Sequence, residues 1–307
     1  MENIKIFSGR SHPDLAERVC SKLGISLGYL KLEEFRNGCF EPILKDEIEG
    51  KKVFLLQTLK PDSCDLHKDI WELLQMVNAA KESKAKEIIA VMPYNSYARS
   101  DKIYEKGMGI CAELLIKLLE TSGMAGFIGI DFHSKKLEKF FSVDTYQLSA
   151  KSLFLEALKG EDINNSFLLP ADMGAFEKGS DLAKELGLPV GRVIKRRISD
   201  NKVEIENIEG DLKNKDIIVF DDEISTGTTL KTLSDRIEGE VRSITFLVTH
   251  GLFVGGATEN FKSIKKLRKI IFTDTVPVSR KVKDSLPLRI ISVDNLLSKK
   301  IREVSSY

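Results

Sequence analysis

Short apolar runs recur along the chain, separated by longer stretches whose apolar residues fall every three or four positions. The runs Ile4–Phe7, Val53–Gln57, Ile88–Met92, Phe127–Ile130, Ser166–Leu169, Val190–Ile194, Ile217–Phe220, Ile244–Thr249 and Ile270–Phe272 predict strands. They are continuous rather than alternating, the pattern of strands in a sheet covered on both faces. Between them, "LHKDIWELLQMVNAAKESKA" places Ile70, Leu73, Leu74, Val77 and Ala80 on one helical face. "CAELLIKLLETSG" repeats the pattern, with Gly123 suited to a helix end, and "GSDLAKELGLP" stops at Gly187 and Pro189. Buried strands alternating with amphipathic helices predict an α/β protein built on mainly parallel sheets flanked by helices. The series runs twice, which predicts two domains, 1–145 and 146–307. The junction "FFSVDTYQLSAKSL" is not rich in Pro, Gly or Ser, so a packed junction is expected rather than a loose tether. Periodicity leaves the last helical pattern, Val293 to Val304, unassigned to either domain.

Composition narrows the partners. Among 307 residues, 47 are basic and 46 acidic, a net charge of +1, so no global field favours nucleic acid or an anionic membrane. Cys20, Cys39, Cys64 and Cys111 are scattered without a CxxC pair, which favours reduced, packing cysteines over a zinc site. The opening "MENIKIFSGRSHPDL" lacks the basic start and apolar core of a signal peptide. No apolar run approaches the ~20 residues that span a bilayer. A cytoplasmic protein is expected.

The chemistry concentrates in "IIVFDDEISTGTTL", residues 217–230. An apolar strand runs into Asp221 and Asp222, and ligands of doubly wound sheets bind beyond such carboxyl ends. Ser225, Thr226, Gly227, Thr228 and Thr229 then supply backbone N–H groups, hydroxyls and one residue without a Cβ. With the helix expected to begin at Leu230, they form a phosphate cradle. Carboxylates beside phosphate make sense when they face sugar hydroxyls or a divalent cation. The string therefore reads as a ribose-phosphate site. A lone acidic pair ahead of a helix cap would ordinarily be a solvated strand end, and it is the order of features that favours the phosphate reading.

An acidic pair followed by T-G-x-T after an apolar strand resembles the binding loop for PRPP (5-phosphoribosyl 1-diphosphate) of the type I phosphoribosyltransferase superfamily. The rest of the chain resembles one branch, the ribose-phosphate pyrophosphokinases, over nearly its full length. The resemblance is carried by "KIFSGRSHPDLAERVCSKLGI", "MPYNSYARSDK", "IDFHSKKLEKFF", "LLPADMG", "IKRR" followed by "NIEGD", and "VTHGLF", in the family's order. It implies two phosphoribosyltransferase-type domains, with ATP on the N-terminal side and ribose 5-phosphate on the C-terminal side. It also implies a C-terminal segment packed back on the N-terminal domain and a homo-oligomer built from dimers.

The implied reaction transfers the β,γ-diphosphoryl group of ATP to O1 of ribose 5-phosphate and releases AMP. Such a transfer needs positioning and charge neutralisation more than covalent chemistry, and Mg²⁺ is the implied cofactor. By resemblance, His133 and Asp172 are Mg²⁺ ligands, although a lone histidine is ordinarily structural. Lys195 and Arg197, in "KRRISDNK", are the implied catalytic cations on a mobile connection, where any KRR is otherwise a solvated turn. Arg99 resembles the arginine that stacks on adenine, with Ser100, Asp101 and Lys102 beside it. Phe35 and Asn37 resemble the turn offered to the adenine of a neighbouring subunit, though Phe35 alone reads equally as a local packing residue. His133 belongs to the ATP side, and Asp221, Asp222 and Ser225 through Thr229 to ribose 5-phosphate.

Four positions depart from the family pattern. Ser225 stands for an aspartate, Cys39 for a glutamate and Ser100 for a glutamine, and each changes how sugar or nucleotide is held. Glu49 replaces an arginine that helps bind regulatory phosphate, so phosphate activation is expected to be weak or absent. The departures leave open an acceptor larger than ribose 5-phosphate, such as ADP-ribose, or a non-catalytic subunit associated with an active enzyme. A transferase that consumes PRPP would explain the 217–230 string but not the N-terminal half.

Overall fold

A computed structural model describes residues 3–59, 66–199 and 202–306, and their side chains except at 196–199 and 202–204. Two compact units divide the chain. The N-terminal unit comprises Met1–Ser149, Thr275–Pro277 and Ser292–Tyr307, and the C-terminal unit Ala150–Asp274 and Val278–Ile291.

The N-terminal unit runs β1 (Ile4–Ser8), α1 (Pro13–Leu23), β2 (Leu30–Glu34), β3 (Phe40–Leu44), β4 (Lys52–Leu56), α2 (Leu66–Glu82), β5 (Glu87–Met92), α3 (Cys111–Ser122), β6 (Gly126–Ile130), a 3₁₀ helix Lys135–Phe140, and β7 (Asp144–Leu148). Five strands form a sheet in the order β1-β4-β5-β6-β7, parallel throughout. Val53, Leu55, Ile88 and Ala90 pack there against Leu73, Met76, Val77 and Ala80 of α2 and Leu115 and Leu119 of α3. The apolar face anticipated for α2 is thus the face that is buried. Strands β2 and β3 stand apart as an antiparallel hairpin.

The C-terminal unit runs α4 (Lys151–Leu158), β8 (Ser166–Pro170), α5 (Met173–Leu186), β9 (Arg192–Ser199), β10 (Lys202–Glu209), β11 (Asp216–Ile224), α6 (Thr228–Ile237), β12 (Ser243–Gly251), α7 (Ala257–Lys262), β13 (Leu267–Thr273), α8 (Arg280–Lys283) and β14 (Leu288–Ile291). Its sheet, ordered β14-β13-β12-β11-β8, is again parallel throughout. The last helix, α9 (Asp294–Ser305), lies on α1 of the N-terminal unit and buries Leu297 and Ile301 completely.

The expected fold class, two α/β units on parallel sheets, is the one observed. Several local expectations are corrected. Lys195 to Ser199 of "KRRISDNK" lie on β9, which forms an antiparallel ribbon with β10, Lys195 opposite Ile205 and Arg197 opposite Val203; residues 200 and 201 lie outside the described residues. Backbone pairing needs no apolar side chains, so a charged strand reads as a loop. Strand β11 continues through the acids to Ile224, because β12 keeps pairing with it after β8 has ended at Pro170, opposite Phe220. The helix after it starts at Thr228 rather than Leu230. Among the described residues Cys20, Cys39 and Cys111 are free thiols, and burial pushes that of Cys20 up to about 11; Cys64 lies outside them. No helix of the described residues is long and apolar enough to cross a membrane.

Candidate active site

In the C-terminal unit, strand pairing brings two acidic positions together. Strands β8 and β11 are neighbours, and Ala171 N–H donates to the Phe220 carbonyl (2.8 Å) just where β8 stops. Asp172 and Asp221 therefore follow adjacent strand ends. Asp172 caps α5, its Oδ1 accepting from Ala175 N–H at 3.0 Å, while its Oδ2 lies 3.6 Å from Nζ of Lys195 on β9. The ribbon thus returns Lys195 to the strand ends. Arg197 lies two residues further along the same strand, and its side chain is outside the described set.

Asp221 is 8% exposed. Burial pushes its carboxyl well above the ordinary range, and repulsion from Asp222 and Asp172 adds to the shift. Asp222 is half-buried, and its N–H donates to Asp221 Oδ1 at 2.9 Å. A buried acid crowded by two others is costly unless a cation or donor is to arrive.

The turn that follows is built for close approach. Gly227 has φ 71°, and a Cβ there would lie 2.8 Å from the Phe261 ring, so glycine alone fits. Ser225 O accepts from Val254 N–H (3.1 Å), and Thr226 O accepts from Nδ2 of Asn260 (2.9 Å). The Thr226 and Thr228 hydroxyls lie 3.0 Å apart. Helix α6 starts with no side chain capping its N-terminus. Exposed Thr226, Thr228 and Thr229 surround that uncapped end, where N–H groups and the helix dipole favour an anion.

The N-terminal unit places the remaining candidates on three loops. Phe35 (45% exposed) and Asn37 occupy the turn of the β2–β3 hairpin. Asn37 Oδ1 accepts from Cys39 N–H at 3.1 Å, leaving its Nδ2 donors to offer. Arg99 is exposed on the segment between β5 and α3. The turn under it is tied down: Ser96 Oγ donates to Leu59 O (2.6 Å), and Ser100 N–H to Tyr97 O (2.9 Å). Ser100 Oγ accepts from Cys111 N–H at 3.3 Å, so this hydroxyl caps α3. Asp101 is half-buried, and Lys102 Nζ lies 4.8 Å above the Tyr104 ring. His133 is exposed just past β6, the strand beside β5, behind Asp131, whose φ of 43° turns the chain. Glu49 is exposed and pairs with Lys84 at 3.3 Å.

Sequence reasoning passed over Arg10, Glu34 and Glu72, which together tie the hairpin down. The available signal was Glu72 itself, an acid beside Leu73 and Leu74 on the apolar face of α2.

Among the described residues, no three His, Cys, Asp or Glu side chains gather closely enough to enclose a metal by themselves. Mg²⁺ is commonly held by one or two carboxylates together with water and phosphate oxygens. Asp172 and the crowded Asp221 are the hard oxygen donors such a cation would relieve.

Comparison with known proteins bears on the whole chain. The model of the N-terminal domain of ribose phosphate pyrophosphokinase matches residues 4–123, and the phosphoribosyl transferase domain model matches 147–278. A putative ribose-phosphate pyrophosphokinase of Streptomyces coelicolor is 34% identical over 99% of this chain and 95% of its own. A ribose-phosphate pyrophosphokinase of Porphyromonas gingivalis is 32% identical over 99% and 96%. The crystal structure of phosphoribosylpyrophosphate synthetase from Mycobacterium smegmatis superposes with a TM-score of 0.90 at 27% identity, covering 98% of each chain.

Proposed function

The chain belongs to the ribose-phosphate pyrophosphokinase family, and from that premise we propose how its residues perform the family's reaction. The reaction transfers the diphosphoryl group of ATP to O1 of ribose 5-phosphate, giving PRPP and AMP. The relatives support neither a larger acceptor nor a non-catalytic subunit.

The observation that carries the assignment is the uncapped start of α6 beside Asp221. The N–H groups and hydroxyls of Ser225, Thr226, Gly227, Thr228 and Thr229 take the 5-phosphate. Asp221 and Asp222 accept from the ribose hydroxyls, which orients O1 for in-line attack on the β-phosphorus. The Ser225 hydroxyl assists without adding a fourth charge. On the nucleotide side, Arg99 takes adenine and phosphate, a pairing that suits a planar guanidinium. Phe35 and Asn37 add a ring and an amide, and Asp101 supports Arg99. Ser100 acts by holding the turn beneath Arg99 through its cap on α3. Lys195, resting on Asp172, and Arg197 stabilise the charge that spreads over the transferring group.

Asp172 and His133 remain the proposed protein ligands for Mg²⁺. When bound, the ion neutralises phosphate oxygens as a Lewis acid.

The active species is proposed to be a homo-oligomer built from dimers. Trp71 (55% exposed) and Leu118 (44%) flank a groove of about 530 Å³ on the N-terminal unit that also presents polar Glu41, Gln75 and Asn78, and large exposed apolar side chains of this kind are what subunit contacts cover. Free thiols suit a reducing, cytoplasmic setting.

With ATP, ribose 5-phosphate and Mg²⁺, and no nucleobase, the protein is expected to form AMP and PRPP in equal amounts. Absence of AMP, or AMP without PRPP, would overturn the assignment. Lys195→Ala is expected to lower turnover at least ~100-fold with the fold retained. A near-normal rate would remove Lys195 from the mechanism.

A further inference from the structure

At the carboxyl end of β1 the chain passes close to Gln57, and a Cβ on Gly9 would lie 2.3 Å from Gln57 Oε1. Gln57 is fully buried. Its Oε1 accepts from the Ser11 N–H (3.2 Å) and hydroxyl (2.6 Å), and its Nε2 donates to Oε2 of Glu72 at 3.2 Å. Glu72, on α2, is 0% exposed, and its Oε1 has no hydrogen-bond partner. Such a carboxylate is tolerable only beside a positive charge. Arg10 supplies it, Nε donating to Glu72 Oε2 at 3.2 Å.

The same guanidinium continues outward. Nη1 of Arg10 donates to Glu34 Oε1 at 2.9 Å, and the guanidinium stands 5.0 Å above the Phe40 ring. Glu34 and Phe40 are paired across β2 and β3, the last pair before the turn. The turn is closed by Phe35 N–H to Cys39 O (2.8 Å) and Gly38 N–H to Phe35 O (3.0 Å). Arg10 therefore grips both strands at the root of the Phe35–Cys39 turn and fastens them to a buried acid of α2. Gln75, also on α2, adds a second tie by donating from Nε2 to Phe40 O at 3.0 Å. A planar fork with separated donors can serve two acids and a ring face at once, whereas an ammonium cannot.

We infer that Arg10 is a positioning residue for nucleotide binding: it sets the reach and angle of the turn carrying Phe35 and Asn37. The inference rests on the proposed role of that turn. The turn is closed on itself and exposed, so its aim is fixed by whatever holds the hairpin base. Glu72 is the fixed point, Arg10 the strut and Glu34 the attachment.

Three variants and one combination test this in the full-length enzyme. Arg10→Lys keeps the charge beside Glu72 but cannot reach both acids. Glu34→Ala releases an exposed attachment and leaves the Arg10–Glu72 pair intact, so it reports even where Arg10→Lys folds poorly. Each is expected to raise KM for ATP ~5-fold, with kcat and KM for ribose 5-phosphate within about twofold. Phe35→Ala is expected to raise KM for ATP as well, and adding Arg10→Lys to it should change KM less than about twofold further, since both act through one turn. If Phe35→Ala raises KM for ATP while Arg10→Lys and Glu34→Ala do not, the strut is overturned and the nucleotide turn stands. If both act equally on the two substrates, the role is structural and the inference fails. If Phe35→Ala has no effect, the reading of the turn itself is wrong, and the inference falls with it.

Discussion

Asp221 meets two opposed demands. The proposed role wants a carboxylate facing ribose hydroxyls, whereas folding must bury that carboxyl beside Asp222 and Asp172. Its folded-state pKa lies above the unfolded value, so ionisation opposes folding. The stability it allows is fully present below the unfolded pKa, near 3.9, and is lost as pH rises through the folded value. Asp221→Asn keeps the shape and removes the charge. It is expected to raise Tm by about 2–4 °C near pH 8, with the gain shrinking toward pH 4, while kcat/KM for ribose 5-phosphate falls ~10–100-fold. Melting curves at the two pH values check this, and a destabilised variant near pH 8 would contradict it. The acids and the hydroxyl run were legible in the sequence because strand, charge and glycine follow one another locally. The shared environment of Asp172, Asp221 and Lys195 was not, since pairing of β8 with β11 and the return of β9 bring it about. Ser100, expected on the nucleotide side, also accepts from Cys111 N–H, a contact that only the folded loop reveals.

Among elements, those with apolar runs were foreseen and those without were not. Strands β7 ("DTYQL") and β14 ("LRII") are sheet edges with half-exposed faces, and β2 and β3 form a small hairpin of mixed residues. None of these has to read as a continuous hydrophobic run. The parallel sheet has two chemically distinct ends, however. Its carboxyl ends carry the proposed site, and its amino ends carry a purely structural cluster. At the amino end of β11, Asp216 Oδ1 accepts from Nε of Arg242 (2.8 Å) and from the Ser243 hydroxyl (2.6 Å), the latter on β12. The Arg242 hydrogen bond, with help from Ser243, holds the Asp216 carboxyl below the usual range despite its burial. A depressed pKa contributes stability above the unfolded value and loses it as pH falls through the folded one. Asp216→Asn is therefore expected to cost about 1–3 kcal/mol at neutral pH. The difference from wild type should close below about pH 3.9, with activity per folded molecule unchanged. Urea titrations on both sides of that pH measure it, and an equal loss at each would show that charge is not the cause.

At the scale of the molecule, the chain does not give each unit one continuous segment. After β14 it returns to the N-terminal unit, so the final helix completes a core begun about 280 residues earlier in the sequence. Val293, Leu297 and Ile301 of this return are fully buried. Asp294 lies 3.7 Å from both Arg18 and Lys22 of α1, Arg302 Nη2 donates to Lys22 O (3.2 Å), and Lys52 Nζ donates to Val304 O (2.8 Å). Asp294 is buried while Arg18 and Lys22 are partly exposed, and at 3.7 Å neither pair is a close hydrogen bond, so most of the attachment falls to the apolar side chains. Truncating a buried Leu or Ile to Ala costs ~2–5 kcal/mol, and two such changes on one helix should approach the stability of an ordinary domain. Leu297→Ala with Ile301→Ala is thus expected to unfold the N-terminal unit first. Calorimetry would then show two transitions, and ribose 5-phosphate would raise the later one, because its proposed cradle lies wholly in the C-terminal unit. The double variant should still bind ribose 5-phosphate at temperatures where ATP turnover has gone. A single transition at the wild-type temperature would mean that α9 is dispensable and that the N-terminal unit closes its core without the end of the chain.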